Sequence, residues 1–267
     1  ELNFDFAVEE ITYEAAEILK KFRVGCFARK ADVIINLPKF KTHGLTRLTG
    51  AVKNMYGVVP GLVKAEYHLN MQRITDFSRV LVDIAEAVQP ELNIMDGIIG
   101  MEGEGPSSGD TIKTGVLLIS PDAAALDVVM ADLAGVKPAE VPTIEAAGAR
   151  GRPAQLAAVE VAGDEVEVEE FITPEIGDSA QLLDQQLPGF LAKLVEKLFR
   201  PRPVFDEEKC IQCGACIQGC PPEVITETES GVEADLDGCI RCFCCQELCP
   251  EAAVEIHRPF LGRLLFD

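Results

Sequence analysis

Nine of the ten cysteines lie within residues 206–256, at a spacing that few kinds of site require. Eight of them form two copies of the pattern C-x2-C-x2-C-x3-C-P, and the second copy begins 29 residues after the first. The first copy comprises Cys210, Cys213, Cys216 and Cys220, and the second comprises Cys239, Cys242, Cys245 and Cys249. Two-residue gaps let one tight loop place three thiolates on three irons of a cubane cluster, so the fourth iron needs a ligand from elsewhere.

The fourth cysteine of such a run ligates the other cluster in bacterial proteins of this kind. The sequence therefore predicts two 4Fe-4S clusters, the first held by Cys210, Cys213, Cys216 and Cys249 and the second by Cys239, Cys242, Cys245 and Cys220. This stretch resembles the bacterial-type ferredoxins with two 4Fe-4S clusters, with every ligand position filled. The resemblance implies one-electron transfer.

Zinc sites and disulfide bonds are the alternatives for these cysteines. Zinc sites usually pair two C-x2-C hooks for each metal, which fits three cysteines in one short loop poorly. Disulfides require an oxidising compartment and do not explain the repeat. Cys244 falls outside the ligand spacing, and we expect a small buried thiol there rather than a redox group.

The charge of the chain is strongly negative, at −20, and unevenly distributed. Residues 206–256 contain twelve acidic and two basic residues, a local net charge of −10. Such a surface disfavours nucleic-acid binding and suits a redox partner protein with a basic docking surface, although a merely solvated surface is an equal alternative. The sequence contains no run of eighteen or more apolar residues, so it predicts no transmembrane segment.

A basic stretch at residues 38–68 reverses this charge. No acidic residue occurs between Val33 and Ala65, whereas five basic residues do: Lys39, Lys41, Arg47, Lys53 and Lys64. His43 and His68 belong to the same stretch, and a helix is predicted to start at Gly44 and Thr46. Helix N-termini and basic side chains together bind anions, so we expect a phosphate or carboxylate site here. A solvated basic face is the alternative.

A longer family resemblance includes this stretch. The run ADVIINLPKFKTHGLTRLTGAVKNMYGVVPG, with DGIIGMEGEGPSSGD and PDAAALDVVMADLAG further on, resembles the family called domain of unknown function 362, which is often fused to a ferredoxin module. The characteristic residues of that family are all present: Lys41, His43, Thr49, Lys53, Asn54, Gly57 and His68. The family implies no settled reaction. Its members carry a long segment upstream, so we expect an α/β domain that lacks such a segment.

The fold class predicted for residues 1–178 is α/β, a parallel or mixed sheet with flanking helices. Buried strands are predicted at residues 31–37, 92–95 and 115–120, helices at 70–89, 121–133 and 141–149, and a hairpin at 159–171. The strand at 92–95 would deliver Asp96 to its carboxyl end, where α/β sheets build ligand sites. The loop at 97–109 is either a lid over that site or a connector.

The rest of the chain is predicted to hold a helical linker at residues 179–203, a small α+β ferredoxin-like iron–sulfur domain at 204–257, and an apolar tail at 258–267. Lys41, His43, Lys53, Asn54, His68 and Asp96 are the candidate catalytic residues.

Three functions remain open on the sequence. The clusters could exchange electrons with an anionic small-molecule substrate at the Lys/His site, as in a ferredoxin-dependent oxidoreductase. The chain could instead be an electron carrier with a docking domain, or an anion-binding or transferase domain with a structural or regulatory ferredoxin. Oxygen-labile clusters favour the cytoplasm of an anaerobe.

Overall fold

The computed structural model describes residue 5 and residues 7–71, 73–107, 109–168, 171–174 and 201–257. The predicted helix at 179–199 and the predicted tail at 258–267 lie outside these residues. Within the described ranges, no helix is both long and apolar enough to cross a membrane.

A mixed sheet forms the centre of the first domain. Its strands are β3 (Ile35–Asn36), β4 (Lys39–His43), β5 (Arg47–Leu48), β6 (Leu92–Glu102), β7 (Asp110–Ile112) and β8 (Val116–Ser120). The long strand β6 runs parallel to β3 and β4 and antiparallel to β7 and β8. The predicted α/β class with a mixed sheet is therefore confirmed.

Helices and a separate hairpin surround the sheet. Strands β1 (Val8–Thr12) and β2 (Lys21–Gly25) form the hairpin, followed by α1 (Cys26–Lys30). The flanking helices are α2 (Gly50–Asn54), α3 (Gly61–Asn70), α4 (Ile74–Val88), α5 (Ala123–Leu133) and α6 (Pro142–Ala149). Helix α4 buries Phe77, Leu81 and Ile84, because apolar residues three and four apart share one face of a helix. The predicted apolar face of this helix is confirmed.

Two predicted strands are less buried than expected. Val33, Ile35 and Leu37 are more than half exposed, because β3 is only two residues long and pairs, among the described strands, with β6 alone. Leu117 and Ile119 of β8 are exposed in the same way. Side chains alternate across a strand, so within the described chain one face of the sheet packs on the helices and the other remains largely open.

Three further predictions differ from the structure. The strand expected to end before Asp96 continues to Glu102, since β7 and β8 extend its pairing. The helix expected at Gly44 is instead the β4–β5 hairpin, and α2 begins only at Gly50. Residues 159–168 contain no strand, because Val159 and Val168 pack on the helical core rather than on each other.

The second domain is a small pseudo-symmetric unit. Strand β9 (Arg202–Phe205) pairs with β12 (Val254–His257), and β10 (Ile225–Glu227) pairs with β11 (Val232–Ala234). The short helices α7 (Ala215–Gln218) and α8 (Cys244–Glu247) each follow one cysteine loop. Strand β9 begins at Arg202, two residues before the predicted domain boundary at 204.

Candidate functional site

The cysteines of the second domain surround two separate cavities. One cavity is lined by Cys210, Cys213, Cys216 and Cys249. The other is lined by Cys220, Cys239, Cys242 and Cys245. The structure thus brings together the two sets that a crossed ligand assignment requires, with each fourth cysteine beside the other loop. The ligation itself stays a prediction.

The cavities have the donor chemistry of iron–sulfur sites. Their remaining linings are mostly apolar, and backbone N–H groups point at sulfur: Arg241 donates to Cys239 Sγ at 3.4 Å and Ala253 to Cys249 Sγ at 3.2 Å. Among the described residues, no three metal-ligating side chains converge tightly enough for a single ion. Thiols around a cavity fit a cubane cluster better than they fit zinc.

The two sets of cysteines differ in solvent exposure at one position. Each set has one buried cysteine, Cys216 in the first and Cys245 in the second, but only the first set has an exposed one, Cys213. Cys244 is buried beside the second set, and its thiol hydrogen-bonds to Cys242, which lowers the pKa of Cys242. The expectation of a buried thiol at Cys244 is confirmed.

The basic stretch meets the second domain at His43. Its Nδ1 accepts hydrogen bonds from the N–H groups of Leu45 at 3.0 Å and Thr46 at 3.4 Å, so its proton lies on Nε2. Nε2 then donates to Glu247 Oε1 at 2.6 Å. Burial, and after it the positive charge of Lys53, lowers the pKa of His43 to about 4. The imidazole is therefore neutral at pH 7.

Glu247 comes from α8, two residues after Cys245 of the second cavity. Burial alone would raise its pKa, but the charge of Lys53 and the hydrogen bond from His43 hold the pKa well below its usual range. Glu247 is therefore an anion within the basic stretch. A carboxylate next to a predicted cluster ligand thus occupies part of the predicted anion site.

Lysines surround this carboxylate. Lys41 Nζ donates to the carbonyl oxygen of Pro106 at 3.3 Å, and burial followed by the charge of Lys53 lowers the pKa of Lys41. Lys64 Nζ lies 5.6 Å from the ring centroid of Tyr56, and burial lowers its pKa as well. The site thus contains ammonium groups that are partly removed from water.

His68 forms the inner wall of the site. Its ring centroid lies 4.4 Å from that of Phe77 and 6.0 Å from that of Tyr56. Burial lowers the pKa of His68 to about 4, with smaller effects from Glu247 and Lys53. His68 is therefore a neutral group packed between aromatic rings.

The loop at residues 102–107 joins the two domains at the site. Gly44 donates its N–H to the carbonyl oxygen of Gly105 at 3.0 Å. Ser107 Oγ donates to the Glu247 carbonyl oxygen and Gln246 Nε2 to that of Glu104, both at 3.4 Å. The loop therefore connects the end of β4 with α8.

Two candidate residues are directed elsewhere. Asn54 Nδ2 donates to Asn36 Oδ1 at 2.7 Å, in a buried amide network that continues to Asn93. Asp96 is exposed on the open face of the sheet, where Lys39 donates to it at 2.7 Å. The geometry brings Lys41, His43, Lys53 and His68 together, without Asn54 or Asp96.

The predicted helix N-terminus is also occupied. The first N–H groups of α2, from Ala51 and Val52, donate to the carboxylate of Asp127 on α5. Backbone donors at this end therefore hold an internal carboxylate. These two donors are therefore not available to a bound anion.

Sequence reasoning missed Glu247 as a member of the site. It was counted only among the acidic residues of the second domain, and 204 residues separate it from His43. The sequence offered one signal for Glu247, its position between Cys245 and Cys249. Residues between two cluster ligands must lie close to a cluster site.

Comparisons with known proteins agree with this organisation. Residues 2–132 match the family described as a domain of unknown function (DUF362), and residues 202–250 match the 4Fe-4S dicluster domain. The chain is similar to a thylakoid-associated protein of Synechocystis sp., with 45% identity over 120 residues. That match covers 45% of this chain and 37% of the relative, so the chain spans less than half of that protein.

Proposed function

We propose that this chain, which joins a domain of unknown function 362 to a 4Fe-4S dicluster domain, is an iron–sulfur redox protein that passes electrons through two 4Fe-4S clusters to or from an anionic substrate at the Lys/His site. In this role it is a ferredoxin-dependent oxidoreductase. The 4Fe-4S domain by itself indicates iron–sulfur electron transfer.

One observation carries the proposal. Glu247, two residues from Cys245, lies in hydrogen-bond contact with His43 among Lys41, Lys53 and His68. This contact places the basic site directly beside the second set of cysteines. Electron transfer between a cluster and a substrate requires the two to lie close together. The short separation of the two sites therefore supports the proposal.

The residues of the chain have distinct roles in this proposal. The thiolates of the two crossed sets hold the clusters, which supply one-electron transfer when bound. His43 is a neutral N–H donor to Glu247, and burial keeps it from becoming charged at pH 7. The positive charge that attracts an anion comes from Lys41, Lys53 and Lys64. The loop at residues 102–107 contacts both domains and holds them together.

A second function is favoured by the same contact. Glu247 already engages His43, so the basic site could serve only to dock the second domain. The chain would then be an electron carrier without substrate chemistry of its own. A redox partner with a basic docking surface fits either function, because the second domain is acidic.

An anaerobic reductive titration followed by EPR separates these functions. Under the proposal, iron and sulfide analysis gives about eight irons for each chain, and one phosphorylated or carboxylated metabolite from a panel shifts the reduction signals. Lys53→Met removes this shift, whereas Lys39→Met, whose ammonium pairs with Asp96 on the open face, retains it. Signals that ignore every metabolite would favour the carrier, and zinc in place of iron would refute both.

A further inference from the structure

The two cysteine loops repeat one another, so their surroundings can be compared position by position. The second run follows the first at an offset of 29 residues. The backbone repeats as well: φ is 52° at Gln212 and 56° at the equivalent Arg241, and 72° at Gly214 and 58° at the equivalent Phe243. Differences between the two cysteine sets therefore come from the side chains at equivalent positions.

The walls of the two cavities carry opposite charges. Among the described residues that line the first cavity, the single charged side chain apart from the cysteines is Glu251. In the second cavity it is Arg241, whose equivalent in the first loop is the neutral Gln212. Two clusters of one type, each held by four thiolates, carry the same charge, so that charge cancels in the comparison. The side chains of the walls are what distinguishes the two sites.

Arg241 is held against the second cysteine loop. Its backbone N–H donates to Cys239 Sγ and its Nη1 donates to the Cys239 carbonyl oxygen, both at 3.4 Å. Its Nε is buried. Gln212 instead donates its side-chain amide to the carbonyl oxygen of Thr228 at 3.2 Å, outside the first cysteine loop. The charge on the second wall is also permanent, because arginine is not deprotonated in proteins.

The acidic residues near the cavities affect this comparison less. Glu251 is exposed, so solvent and salt screen its charge. Glu247 is not among the residues that line the second cavity, and its carboxylate accepts a hydrogen bond from His43. A buried or partly buried charge is screened much less than an exposed one. Arg241 therefore makes the largest contribution to the difference between the two walls.

We propose that Arg241 gives the second cysteine set the higher reduction potential, so that an electron from a redox partner protein enters at the exposed first set and comes to rest beside the Lys/His site. Reduction adds one negative charge to a cluster, and a nearby positive charge stabilises that state. One electron passes from the first cluster, which is oxidised, to the second, which is reduced, and no bond or proton changes place. This inference rests on the proposed function and narrows its direction, because electrons then run downhill towards the Lys/His site.

An EPR-monitored redox titration of the anaerobically reconstituted full chain tests the proposal. Cys213→Ser changes the ligands of the first cluster and so identifies the EPR signal that belongs to it. In the parent chain the other signal is expected to appear first. Its affinity for the electron should be roughly tenfold higher, which corresponds to about 59 mV for one electron. Arg241→Gln should remove this preference, since it gives the second loop the side chain of the first.

Two further variants keep the test informative if Arg241→Gln loses a cluster. Gln212→Arg adds the same charge to the first loop, so it should raise the electron affinity of the first cluster by a similar factor. Arg79→Gln is the control, because it removes an equal charge from an exposed pair with Glu17 on the first domain. It should shift neither signal.

Reduction of the first cluster before the second in the parent chain would overturn the proposal. So would an Arg241→Gln variant in which both signals shift equally or neither shifts. If the order is as expected but no metabolite alters the signals, the substrate site of the proposed function is refuted and the order of potentials stands. If a metabolite shifts the signals but the first cluster is reduced first, the proposed function stands and this inference is refuted.

Discussion

Cys244 lies beside the predicted second cluster site, and the ligand spacing gives it no ligand role. Its thiol hydrogen-bonds to Cys242, and this bond raises the pKa of Cys244 and lowers that of Cys242. A donor to a ligand sulfur stabilises the more negative, reduced state of a cluster and so raises its potential. We therefore expect Cys244 to raise the potential of the second cluster without binding metal.

Replacing this thiol should lower one reduction potential. In Cys244→Ala we expect the potential of the second cluster to fall by about 40 mV, the one-electron equivalent of a hydrogen bond of about 1 kcal/mol. An EPR-monitored redox titration measures both potentials. Cys26→Ala, on α1 in the first domain, serves as the control and should shift neither. A change confined to the first cluster in Cys244→Ala would contradict the assignment.

His68 connects burial to the effect of pH on stability. Its folded pKa of about 4 lies below its ordinary value of 6.5, so the folded protein binds fewer protons than the unfolded chain between these values. The contribution is fully present above pH 6.5 and is lost as the pH falls towards 4. By pH 5 the loss amounts to about 2 kcal/mol of unfolding free energy.

His68→Phe should remove this dependence while keeping the aromatic contacts with Phe77 and Tyr56. Guanidinium unfolding, followed by circular dichroism between pH 8 and pH 5, measures it under anaerobic conditions. The difference in stability between the variant and the parent should grow by about 2 kcal/mol in favour of the variant as the pH falls. If the stabilities of the variant and the parent depend on pH in the same way, His68 is already solvated or paired in the folded protein, and the prediction is wrong.

One side chain of helix α5 holds helix α2, which carries Lys53, in position. Asp127 of α5 accepts the N–H groups of Ala51 and Val52, and burial raises its pKa to about 7. Gly50 lies so close to this carboxylate that no larger residue fits there without a shift. The position of Lys53 thus depends on a contact between two helices.

Asp127→Asn tests this dependence. The amide nitrogen would face a backbone N–H, leaving one buried donor unsatisfied and costing about 1–3 kcal/mol of unfolding free energy. The shift of the EPR signals by an anionic metabolite should shrink as well, because α2 would move Lys53. Asp122→Asn is the matched control on the same helix: Asp122 caps α5, and asparagine caps a helix equally well. Equal stability of the two variants, measured by chemical unfolding, would contradict the argument.

Short-range patterns predicted most of these elements, and long-range contacts explain the errors. Apolar spacing predicted α4, and cysteine spacing predicted which thiols lie together, because both depend on neighbours in the chain. The direction of Asp96 could not be inferred, since it depends on β7 and β8 extending the pairing of β6. Glu247 joined His43 across 204 residues, a contact that no local pattern specifies.

At the scale of the whole molecule, the two cysteine sets face different surroundings. The second set adjoins the Lys/His site through α8, whereas Cys213 of the first set is exposed. Acidic residues flank the exposed set: Glu251 lines its cavity, and Glu207 lies near Cys210 around Gly231. We therefore expect a basic redox partner to dock at the first set.

Charge reversal at this end tests where the partner docks. In the double variant Glu207→Lys, Glu251→Lys we expect electron transfer to a basic acceptor such as cytochrome c to slow by roughly tenfold at low ionic strength, because complementary charge steers the encounter. The difference should shrink near 0.5 M salt, where the Debye length is only about 4–5 Å. Stopped-flow absorbance of the acceptor measures the rate, and the redox titration shows whether driving force has changed.

The matched control places the same charge change on the first domain. Asp132 and Glu145 are exposed on α5 and α6, so Asp132→Lys, Glu145→Lys alters the net charge of the molecule equally without touching the cysteine loops. If net charge alone governed the encounter, both double variants would slow the reaction to the same extent. A selective loss in the Glu207 and Glu251 variant identifies the first cysteine set as the docking end, because only a local field distinguishes two molecules of equal charge.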